Sequence, residues 1–470
     1  MQLVVLDDKA IEAIHQATLR ILGEVGILLT HPEARTILLG AGAQVQGNRL
    51  RLPPELVERE LAGCPRQVSL RGRGRESGEV RLGDGSLHWH NLGGARDVFD
   101  PLTGQRRPAT LQDVRDSTRL LDALAGVTTI TPFFTPLDVP APLMSLAMYR
   151  YALPHTTKPL QGPGVQTAAE VRWVVRMASL LGPPSQVLSL GLSPVSPLFF
   201  PDDLVGAMLE VARQGVPLGP LPCPTAGTTA PMALAGALAQ QNAEVLASVV
   251  LAQLARPGLP IIYCGRLAMM EPRTATSVWG GVELALASAA TVQLGHHYGL
   301  PVNVYGLSTN SHTLDLQNGY ERALNAAIPA LAGADELSGI GEMAAGVMGS
   351  YAQMVCDNEI AASVGRLRRG LVVDEDALGV PVIARVMEGS RNFLGQPHTA
   401  RYLRAGEIML TRLAERRSWN EWDRGGRTGV AERAQAEAER LLAQHEPPPL
   451  DEKTEKELSQ IWQAIEADLS

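Results

Sequence analysis

Val302–Gln317 reads VNVYGLSTNSHTLDLQ, and this stretch indicates how the rest of the chain is built. An apolar, β-rich run ends at Gly306, and polar or small residues follow before a helix that we expect to begin near Gln317. Parallel strands buried on both faces are continuous apolar runs, whereas residues at their carboxyl ends reach solvent and ligand. The stretch therefore predicts a binding site that contains its polar side chains Ser308, Asn310, His312 and Asp315.

The same unit of strand, polar loop and helix recurs along the chain. From Leu87 onward there are eight apolar runs of strand length, LHWHNL, GVTTITP, KPLQGPG, VLSLGLS, VPLGPLP, LPIIYCG, PVNVYGL and ELSGIGE. Helix-length segments fall near residues 109–125, 140–153, 167–181, 201–214, 232–256, 279–299, 317–333 and 350–366. Eight such alternations predict an α/β protein with a (β/α)₈ TIM barrel. An open doubly wound sheet has the same local pattern, so closure is inferred from the count of eight.

Two extensions flank the predicted barrel, which we place at residues 87–369. Residues 1–86 are predicted to be an N-terminal extension of helices and β-hairpins, in which Asp8 is the expected N-cap of the first helix. A hairpin over residues 95–107, around the sequence PLTG, separates the first barrel strand from its helix. Residues 370–470 change to helical segments with charged faces. This pattern predicts a C-terminal extension that wraps the barrel or carries a contact between subunits.

The composition argues against several classes of protein. The 470 residues are 45% hydrophobic and have a formal net charge of -8 from well-mixed acids and bases, so nucleic-acid binding is not indicated. The four cysteines lack CxxC spacing, and no apolar run has the length of a membrane span, so we interpret the protein as cytoplasmic. Among four lysines, only Lys158 lies away from the ends, and it opens a strand rather than closing it. This position argues against Schiff-base catalysis.

The carboxyl ends of the barrel strands define the candidate site, because barrel enzymes bind their ligands there. By this rule the lining is His90, Asn91, Phe133, Phe134, Gln161, Ser193, Cys223, Thr225, Arg266, Ser308 to His312, and Glu342. Trp89, Tyr263 and Tyr305 also lie in or at the end of predicted strands, and such rings bind quaternary ammonium ions through cation–π contacts. Core packing is the simpler explanation for each ring alone.

Two motifs have simpler explanations than a bound cofactor. His88 and His90 share one face of a strand, but no third ligand has a recognisable spacing, so no metal site is predicted. The sequence GIGEMA, Gly339–Ala344, matches the G-x-G-x-x-A variant of the dinucleotide fingerprint. It follows the last strand of the predicted barrel rather than the first strand of a Rossmann unit. We therefore expect its glycines to permit the close approach of a bulky group to the barrel mouth.

Longer stretches resemble a known family over nearly the whole chain. They are ILGEVGILLTHPEA, HWHNLGG, NAEVLASVVLAQLARPG, YGLPVNVYG, DLQNGYERALNAAIPALAGA, YAQMVCDNEIA, RRSWNEWDRGG and HEPPPLD. Together they resemble the trimethylamine methyltransferase family of corrinoid-dependent methyltransferases. Ordered matches of this length are much more specific than a short catalytic pattern, and they agree with the barrel predicted from the strand and helix alternation.

The resemblance implies an enzyme that presents an N-methylated amine to the Co(I) centre of a separate corrinoid protein. This partner supplies the corrinoid, and no cofactor is expected to be bound covalently by the chain. Family members that act on trimethylamine carry pyrrolysine after barrel strand seven, and alignment of GLSTNSHTLDLQ with that segment places Ser308 at this catalytic position. A quaternary ammonium leaves as a neutral amine without further help. The serine therefore favours a quaternary substrate, as in the related family members that act on glycine betaine.

For such a substrate we predict that aromatic faces hold the cation and polar groups hold any carboxylate. The predicted rings are Phe133, Phe134 and Tyr305, and the predicted carboxylate ligands are Asn310 and His312, or Arg266, with Gln161 and Glu342 completing the pocket. The family and the helical extension also imply a homo-oligomer. A barrel enzyme of another reaction type and a non-catalytic binder of a methylated amine remain open. The sequence does not choose among glycine betaine, proline betaine, carnitine and choline.

Overall fold

The computed structural model describes residues 3–73, 78–162, 164–389 and 391–469. The first helix is capped by Asp7, whose Oδ1 accepts a hydrogen bond from the backbone N–H of Ala10 at 2.8 Å. The predicted N-cap, Asp8, is therefore wrong by one residue, and Asp8 is the first residue of the helix. The elements of this part are α1 (Asp8–Arg20), β1 (Ile27–Leu29), α2 (Pro32–Gly40), β2 (Gln44–Gln46), β3 (Arg49–Arg51), α3 (Pro54–Ala62), β4 (Val68–Arg71) and β5 (Glu79–Leu82).

Strand β1 was not predicted, because its sequence ILL continues the apolar pattern of the preceding helix. Gly26 ends the helical segment with a φ of 75°, and a Cβ at this position would lie 2.5 Å from the carbonyl oxygen of Leu50. Glycine alone accommodates both the conformation and the close approach. The chain then enters β1, which pairs antiparallel with β3 and parallel with Phe199–Phe200.

The central part alternates strands with helices as the sequence predicted. Its strands are β6 (His88–Asn91), β7 (Asp97–Asp100), β8 (Gln105–Pro108), β9 (Leu190–Leu192), β10 (Phe199–Phe200), β11 (Leu218–Pro220), β12 (Thr225–Ala226), β13 (Tyr263–Gly265), β14 (Ala268–Met270), β15 (Ser277–Val278), β16 (Val302–Tyr305), β17 (Glu336–Ile340), β18 (Glu342–Met343) and β19 (Met348–Gly349). Its helices are α4 (Leu111–Ala123), α5 (Met144–Ala152), α6 (Ala168–Ala178), α7 (Pro184–Val187), α8 (Asp202–Gln214), α9 (Leu234–Ala255), α10 (Val282–His297), α11 (Leu316–Ala332) and α12 (Tyr351–Arg369). Strands β7 and β8 form the predicted hairpin around PLTG.

The architecture is α/β, with parallel pairing between consecutive units. Strands β13, β16, β17 and β6 are neighbours in this order, and all three of these pairs are parallel. Strand β11 pairs in parallel with β9. Two predicted strands, GVTTITP and KPLQGPG, are reduced to the single parallel bridges Ile130–Leu160 and Leu160–Leu188. Proline lacks the N–H that a longer ladder needs, and both segments contain proline.

Helix α9 lies in the core. Within the described residues it is the one helix that is long and apolar enough to cross a membrane, but 83% of its apolar window is buried inside the protein. Burial of this kind is typical of a core helix in a large α/β domain. Its length and composition are therefore weak evidence for a membrane span.

The glycines of GIGEMA serve the packing of the chain itself. Gly339 has a φ of 115°, and a Cβ there would lie 2.4 Å from the carbonyl oxygen of Leu307. Gly341 has a φ of 86°, and its Cβ would lie 2.6 Å from Cγ of Met354. The groups that approach these glycines are thus the loop after β16 and helix α12.

The C-terminal part is helical, as predicted. Its helices are α13 (Glu375–Leu378), α14 (Val380–Glu388), α15 (Pro397–Arg404), α16 (Trp419–Arg424), α17 (Val430–Gln444) and α18 (Glu452–Leu469). The end of α17 contacts α4, because Arg119 donates to the carbonyl oxygen of Leu442 at 2.8 Å. Helix α18 contacts α5 through the ion pair Arg150–Glu455 at 2.7 Å. These two helices therefore wrap the outer helices of the central part.

Candidate active site

A cavity of about 310 Å³ lies at the carboxyl ends of the parallel strands. Its lining consists of His90, Asn91, Leu92, Gly93, Thr131, Gln161, Gly162, Ser189, Leu190, Gly191, Ser193, Gly219, Leu221, Cys223, Ile262, Cys264, Arg266, Asn303, Tyr305, Ala345 and Gly346. Three residues to which the sequence assigned a substrate role, Gln161, Arg266 and Tyr305, meet here. The volume is at the lower end of the range typical for small-molecule sites.

Arg266 supplies the positive charge among the described residues that line the cavity. It follows β13 and is only 4% exposed. Its guanidinium donates hydrogen bonds to the backbone carbonyl oxygens of Asn303 at 2.8 Å and Gly265 at 3.1 Å, and also to Oδ1 of Asn303. No carboxylate of the described residues lies within ion-pairing distance of it. Arg266 is therefore a fixed, buried cation without an anionic partner in the described part of the chain, a group that favours an anionic ligand.

Asn303 links Arg266 to a buried carboxylate, Glu336. The amide of Asn303 accepts from Arg266 through Oδ1 and donates through Nδ2 to Oε2 of Glu336 at 2.5 Å. The other oxygen of Glu336 accepts from Thr129 Oγ1 at 2.6 Å and from Gln161 Nε2 at 2.9 Å. Glu336 is completely buried behind these polar side chains. A negative charge therefore lies behind one wall of the cavity, and the positive charge of Arg266 lies in another.

His90 joins the same network as a neutral imidazole. Its Nδ1 donates to the backbone carbonyl oxygen of Asn91 at 2.7 Å, and its Nε2 accepts from Asn303 Nδ2 at 2.8 Å. Burial lowers the pKa of His90 below its usual value. Both ring nitrogens of His90 therefore form hydrogen bonds with groups of the protein itself. Within the described residues, no group of three or more His, Cys, Asp or Glu side chains is arranged to hold a metal ion.

Tyr305 ends β16 and forms an aromatic wall of the cavity. The Arg266 guanidinium carbon lies 4.6 Å from the centre of the Tyr305 ring, and Trp279 packs against the ring edge-on at 5.2 Å. Burial raises the pKa of the Tyr305 hydroxyl. The Tyr305 side chain is therefore a neutral phenol, and its ring packs against the Arg266 guanidinium.

Two thiols also line the cavity. Cys223 is exposed to the cavity, whereas Cys264 is buried. Burial raises the pKa of Cys264 to about 12, so at neutral pH it is a protonated thiol, which is a poor nucleophile.

The polar loop after β16 lies outside the cavity lining. Thr309 donates its backbone N–H to Oε1 of Glu342 at 3.1 Å, and its hydroxyl donates to Glu321 at 2.6 Å. Ser308, at the position that the resemblance assigns to pyrrolysine, is buried within this loop. Burial raises the pKa of Glu342 to about 7, against the opposing charge of Arg322. Glu342 is thus a buried acid behind the lining residue Gly346.

Three further sequence predictions lack support from the positions of their side chains. Asn310 does not line the cavity, because its Oδ1 accepts from the backbone N–H groups of Trp279 and Gly280, both at 2.7 Å. His312 is exposed and also lies outside the lining. Thr225 binds Ser277 at 2.8 Å instead of facing the cavity.

The positions of Phe133 and Phe134 contradict their predicted role as rings that hold the substrate cation. Both rings are completely buried and pack against each other edge-on at 4.6 Å. A Cβ at Gly349 would lie 2.1 Å from the Phe133 ring, so this ring fills the space beside β19. The two phenylalanines therefore belong to the core beside the cavity and offer no face to a ligand in it.

Asn303, Thr129 and Glu336 are site residues that the sequence analysis did not select. The available signal was their polarity, because Asn303 interrupts the apolar run VNVY and Glu336 opens the buried run ELSGI. A polar residue inside a strand buried on both faces needs hydrogen-bonding partners from neighbouring strands.

The α/β fold and the cavity at its strand ends are typical of proteins that bind small molecules. The family model described as "Trimethylamine methyltransferase (MTTB)" matches residues 1–467, so the chain belongs to this family.

Curated relatives match over almost the whole chain. Trimethylamine methyltransferase MttB of Desulfitobacterium hafniense (strain DSM 10664 / DCB-2) is 29% identical, covering 98% of this chain and 93% of the relative. Glycine betaine methyltransferase of Desulfitobacterium hafniense (strain Y51) is 30% identical, covering 97% of this chain and 95% of the relative. Among solved structures, the Methanosarcina barkeri monomethylamine methyltransferase (MtmB) has a TM-score of 0.52 at 13% identity and covers 98% of this chain and 91% of its own. At that identity the likeness shows the fold alone.

Proposed function

We propose that this protein is a methyltransferase that removes a methyl group from a quaternary amine bearing a carboxylate and passes it to the cobalt of a separate corrinoid protein. The observation that carries the proposal is the buried guanidinium of Arg266, which lines the cavity without a carboxylate partner in the described residues. The two relatives above, a trimethylamine and a glycine betaine enzyme, are nearly equally similar to this chain. The substrate is therefore inferred from Arg266 and not from identity.

A zwitterion satisfies both charges of the site. Its carboxylate accepts hydrogen bonds from Arg266, and its ammonium group lies towards Gln161 and Asn303, behind which Glu336 is buried. Trimethylamine, which has no carboxylate, leaves Arg266 without an anion and brings a second cation near it when protonated. The cavity of about 310 Å³ suits a molecule of the size of glycine betaine.

Methyl transfer breaks a C–N bond whose electron pair stays on nitrogen. A quaternary ammonium thereby leaves as a neutral tertiary amine, so the step needs no acid at the leaving group. This accounts for Ser308 at the position that the resemblance assigns to pyrrolysine. The Co(I) corrinoid, when bound to its own protein, supplies the nucleophile that accepts the methyl group. The residues of this chain hold the substrate and orient one methyl group towards the cavity mouth, a contribution of positioning.

The lining of the cavity is rich in glycine. Five of the lining residues are glycines, so few bulky side chains line these strand ends. A Cβ at Gly162 would meet Thr131 and one at Gly346 would meet Leu92, so these glycines are required by the packing of the cavity wall. The approach of a corrinoid is therefore inferred from the family and not from the glycines.

We also infer that the eight strand segments close into a (β/α)₈ barrel. Closure is supported by links between successive segments that lie outside the regular sheets. The backbone N–H of Thr128 donates to the carbonyl oxygen of Trp89 at 2.9 Å, and Leu218 forms a parallel bridge with Ile261. The pairing of the last strand, β17, with the first, β6, is also parallel.

The experiment that tests the function is a spectroscopic assay of methyl transfer. Purified protein is mixed with a cognate corrinoid protein in the Co(I) state and with glycine betaine, choline or trimethylamine in turn. We expect methyl-Co(III) to form with glycine betaine and not with trimethylamine, and choline to react more slowly because it has no carboxylate. Transfer from trimethylamine at the same rate as from glycine betaine would contradict the proposal.

A further inference from the structure

The segment of residues 371–410 contains α13, α14 and α15 and has almost no core of its own. Of its described residues, only Gly379 and Val386 are buried. Twelve of its large apolar side chains are exposed, with Leu371 at 81% and Leu394 at 90%. Summed over the twelve side chains, their exposed surface is on the order of 1,000 Å², and soluble monomers rarely expose contiguous apolar patches larger than a few hundred Å². The segment therefore exposes many apolar side chains that a partner would cover.

The contacts that hold this segment together are mainly polar. Asp376 binds Arg401 at 2.5 and 2.7 Å and accepts from the hydroxyl of Tyr402 at 3.1 Å. Helix α18, by contrast, buries Leu458, Ile461 and Ile465 against the rest of the chain. The apolar side chains of α13–α15 thus remain at the surface, although polar contacts hold the helices together.

A basic groove of about 440 Å³ lies beside this apolar surface. Three arginines of α12 and α15 line it, together with Ile408 and Leu410. Arg366 is paired with Glu407 at 3.0 Å, and Arg369 donates to the carbonyl oxygen of Ala405 at 3.3 Å. In the described part of the chain, the third, Arg404, has no carboxylate within ion-pairing distance. The groove therefore combines apolar walls with excess positive charge.

The complementary sequence lies in the same segment. Leu371, Val372 and Val373 are exposed and are followed directly by the exposed acids Asp374 and Glu375. Glu375, like Arg404, has no ion-pairing partner among the residues that the structure describes. A short apolar run followed by two acids complements the apolar walls and the positive charge of the groove.

We propose that residues 371–410 form a two-fold interface between two copies of this chain, in which the run 371–375 of each copy enters the basic groove of the other. A two-fold interface requires one patch to carry both complementary halves, and this segment together with the end of α12 carries both. The summed apolar exposure of the segment is comparable to the about 800 Å² that each partner buries in a standard interface. The interface does not depend on the methyl-transfer function proposed above.

Sedimentation velocity at micromolar concentrations tests this interface on the full chain. The variants are Leu371→Asp with Leu394→Asp, Arg404→Glu, Glu375→Arg, and the last two combined. The matched control is Leu102→Asp, which changes an exposed leucine in the β7–β8 turn. Circular dichroism melts verify that each variant keeps its fold.

We expect the wild type and Leu102→Asp to sediment as a dimer or a larger assembly. The double aspartate variant and each single charge reversal should raise the dissociation constant at least tenfold, and the combined reversal should recover part of this loss. A monomeric wild type, or assembly that none of the patch variants weakens, would overturn the interface. If the patch variants keep the assembly but lose methyl transfer to a corrinoid protein, the interface is also overturned. The surface would then be assigned to the corrinoid protein instead.

Discussion

Replacement of Arg266 by glutamine tests how the cavity recognises its ligand. The wild-type guanidinium is held by Asn303 and Gly265, so the Arg266 side chain loses little further conformational entropy when it binds a carboxylate. Hydrogen bonds to a charged group contribute about 1.5–3 kcal/mol, which corresponds to about 10- to 150-fold in the dissociation constant. We therefore expect Arg266→Gln to weaken glycine betaine binding by about this factor.

Isothermal titration calorimetry with glycine betaine and choline separates charge recognition from damage to the pocket. Choline has the same trimethylammonium group but no carboxylate, so its affinity should stay the same or improve when the positive charge is removed. His312→Ala provides a control, because His312 is exposed and outside the lining, and it should leave both affinities unchanged. Unchanged betaine affinity in Arg266→Gln, or equal loss for both ligands, would refute the assignment of Arg266 as the carboxylate ligand.

Three further predictions concern the buried groups around the site. Gly339→Ala should destabilise the protein by about 3 kcal/mol in urea unfolding, because it combines a φ of 115° with a clash against Leu307, whereas Gly365→Ala in α12 should not. Arg322→Met should cost about 3–5 kcal/mol, because it leaves Asp357, its partner at 2.9 Å, buried and unpaired; a loss below about 1 kcal/mol would contradict this. Folding raises the pKa of Glu342 from its ordinary 4.5 to about 7, so its contribution to stability is complete below pH 4.5 and is lost as the pH rises through 7. Glu342→Gln should remove a pH-dependent fall in unfolding free energy of about 3 kcal/mol over this interval, and an identical pH profile would exclude the effect.

The elements of the fold could be predicted from local pattern. The long helices were recognised because their apolar residues recur between strand-length runs, and α11 begins at Leu316, one residue from the predicted start at Gln317. β1 was missed because ILL carries no signal that distinguishes a three-residue strand from a helix end. Its strand conformation depends on Gly26 and on pairing with β10, which is far away in sequence. The division of the chain at residues 86 and 369 stays a prediction.

The candidate site could be predicted only where a side chain points from a strand end into the cavity. Arg266 and Tyr305 were selected on this basis, and both line the cavity. Phe133 and Phe134 also follow a predicted strand, but the sequence does not indicate on which side of the loop each ring packs. Asn310 was selected as a ligand residue because it is polar, yet backbone donors from the β15–α10 loop bind its side chain.

The arrangement of charges in the site could not be predicted without the tertiary structure. Glu336, Asn303 and Thr129 come from three different strand segments, and their network forms only when these segments lie side by side. Their separation in sequence reaches 207 residues between Thr129 and Glu336. No local pattern carries that information, although the acid at the start of a fully buried strand marks a position that must find partners.

The most direct measurement of the central claim is the stoichiometry of products from methyl-labelled glycine betaine. The protein and its corrinoid partner in the Co(I) state are incubated with the labelled substrate, and dimethylglycine and labelled methyl-Co(III) are both quantified. We predict one dimethylglycine for each methyl-Co(III) formed. Dimethylglycine without methyl-cobalt would indicate an enzyme of another reaction type, and binding of glycine betaine with neither product would indicate a non-catalytic binder.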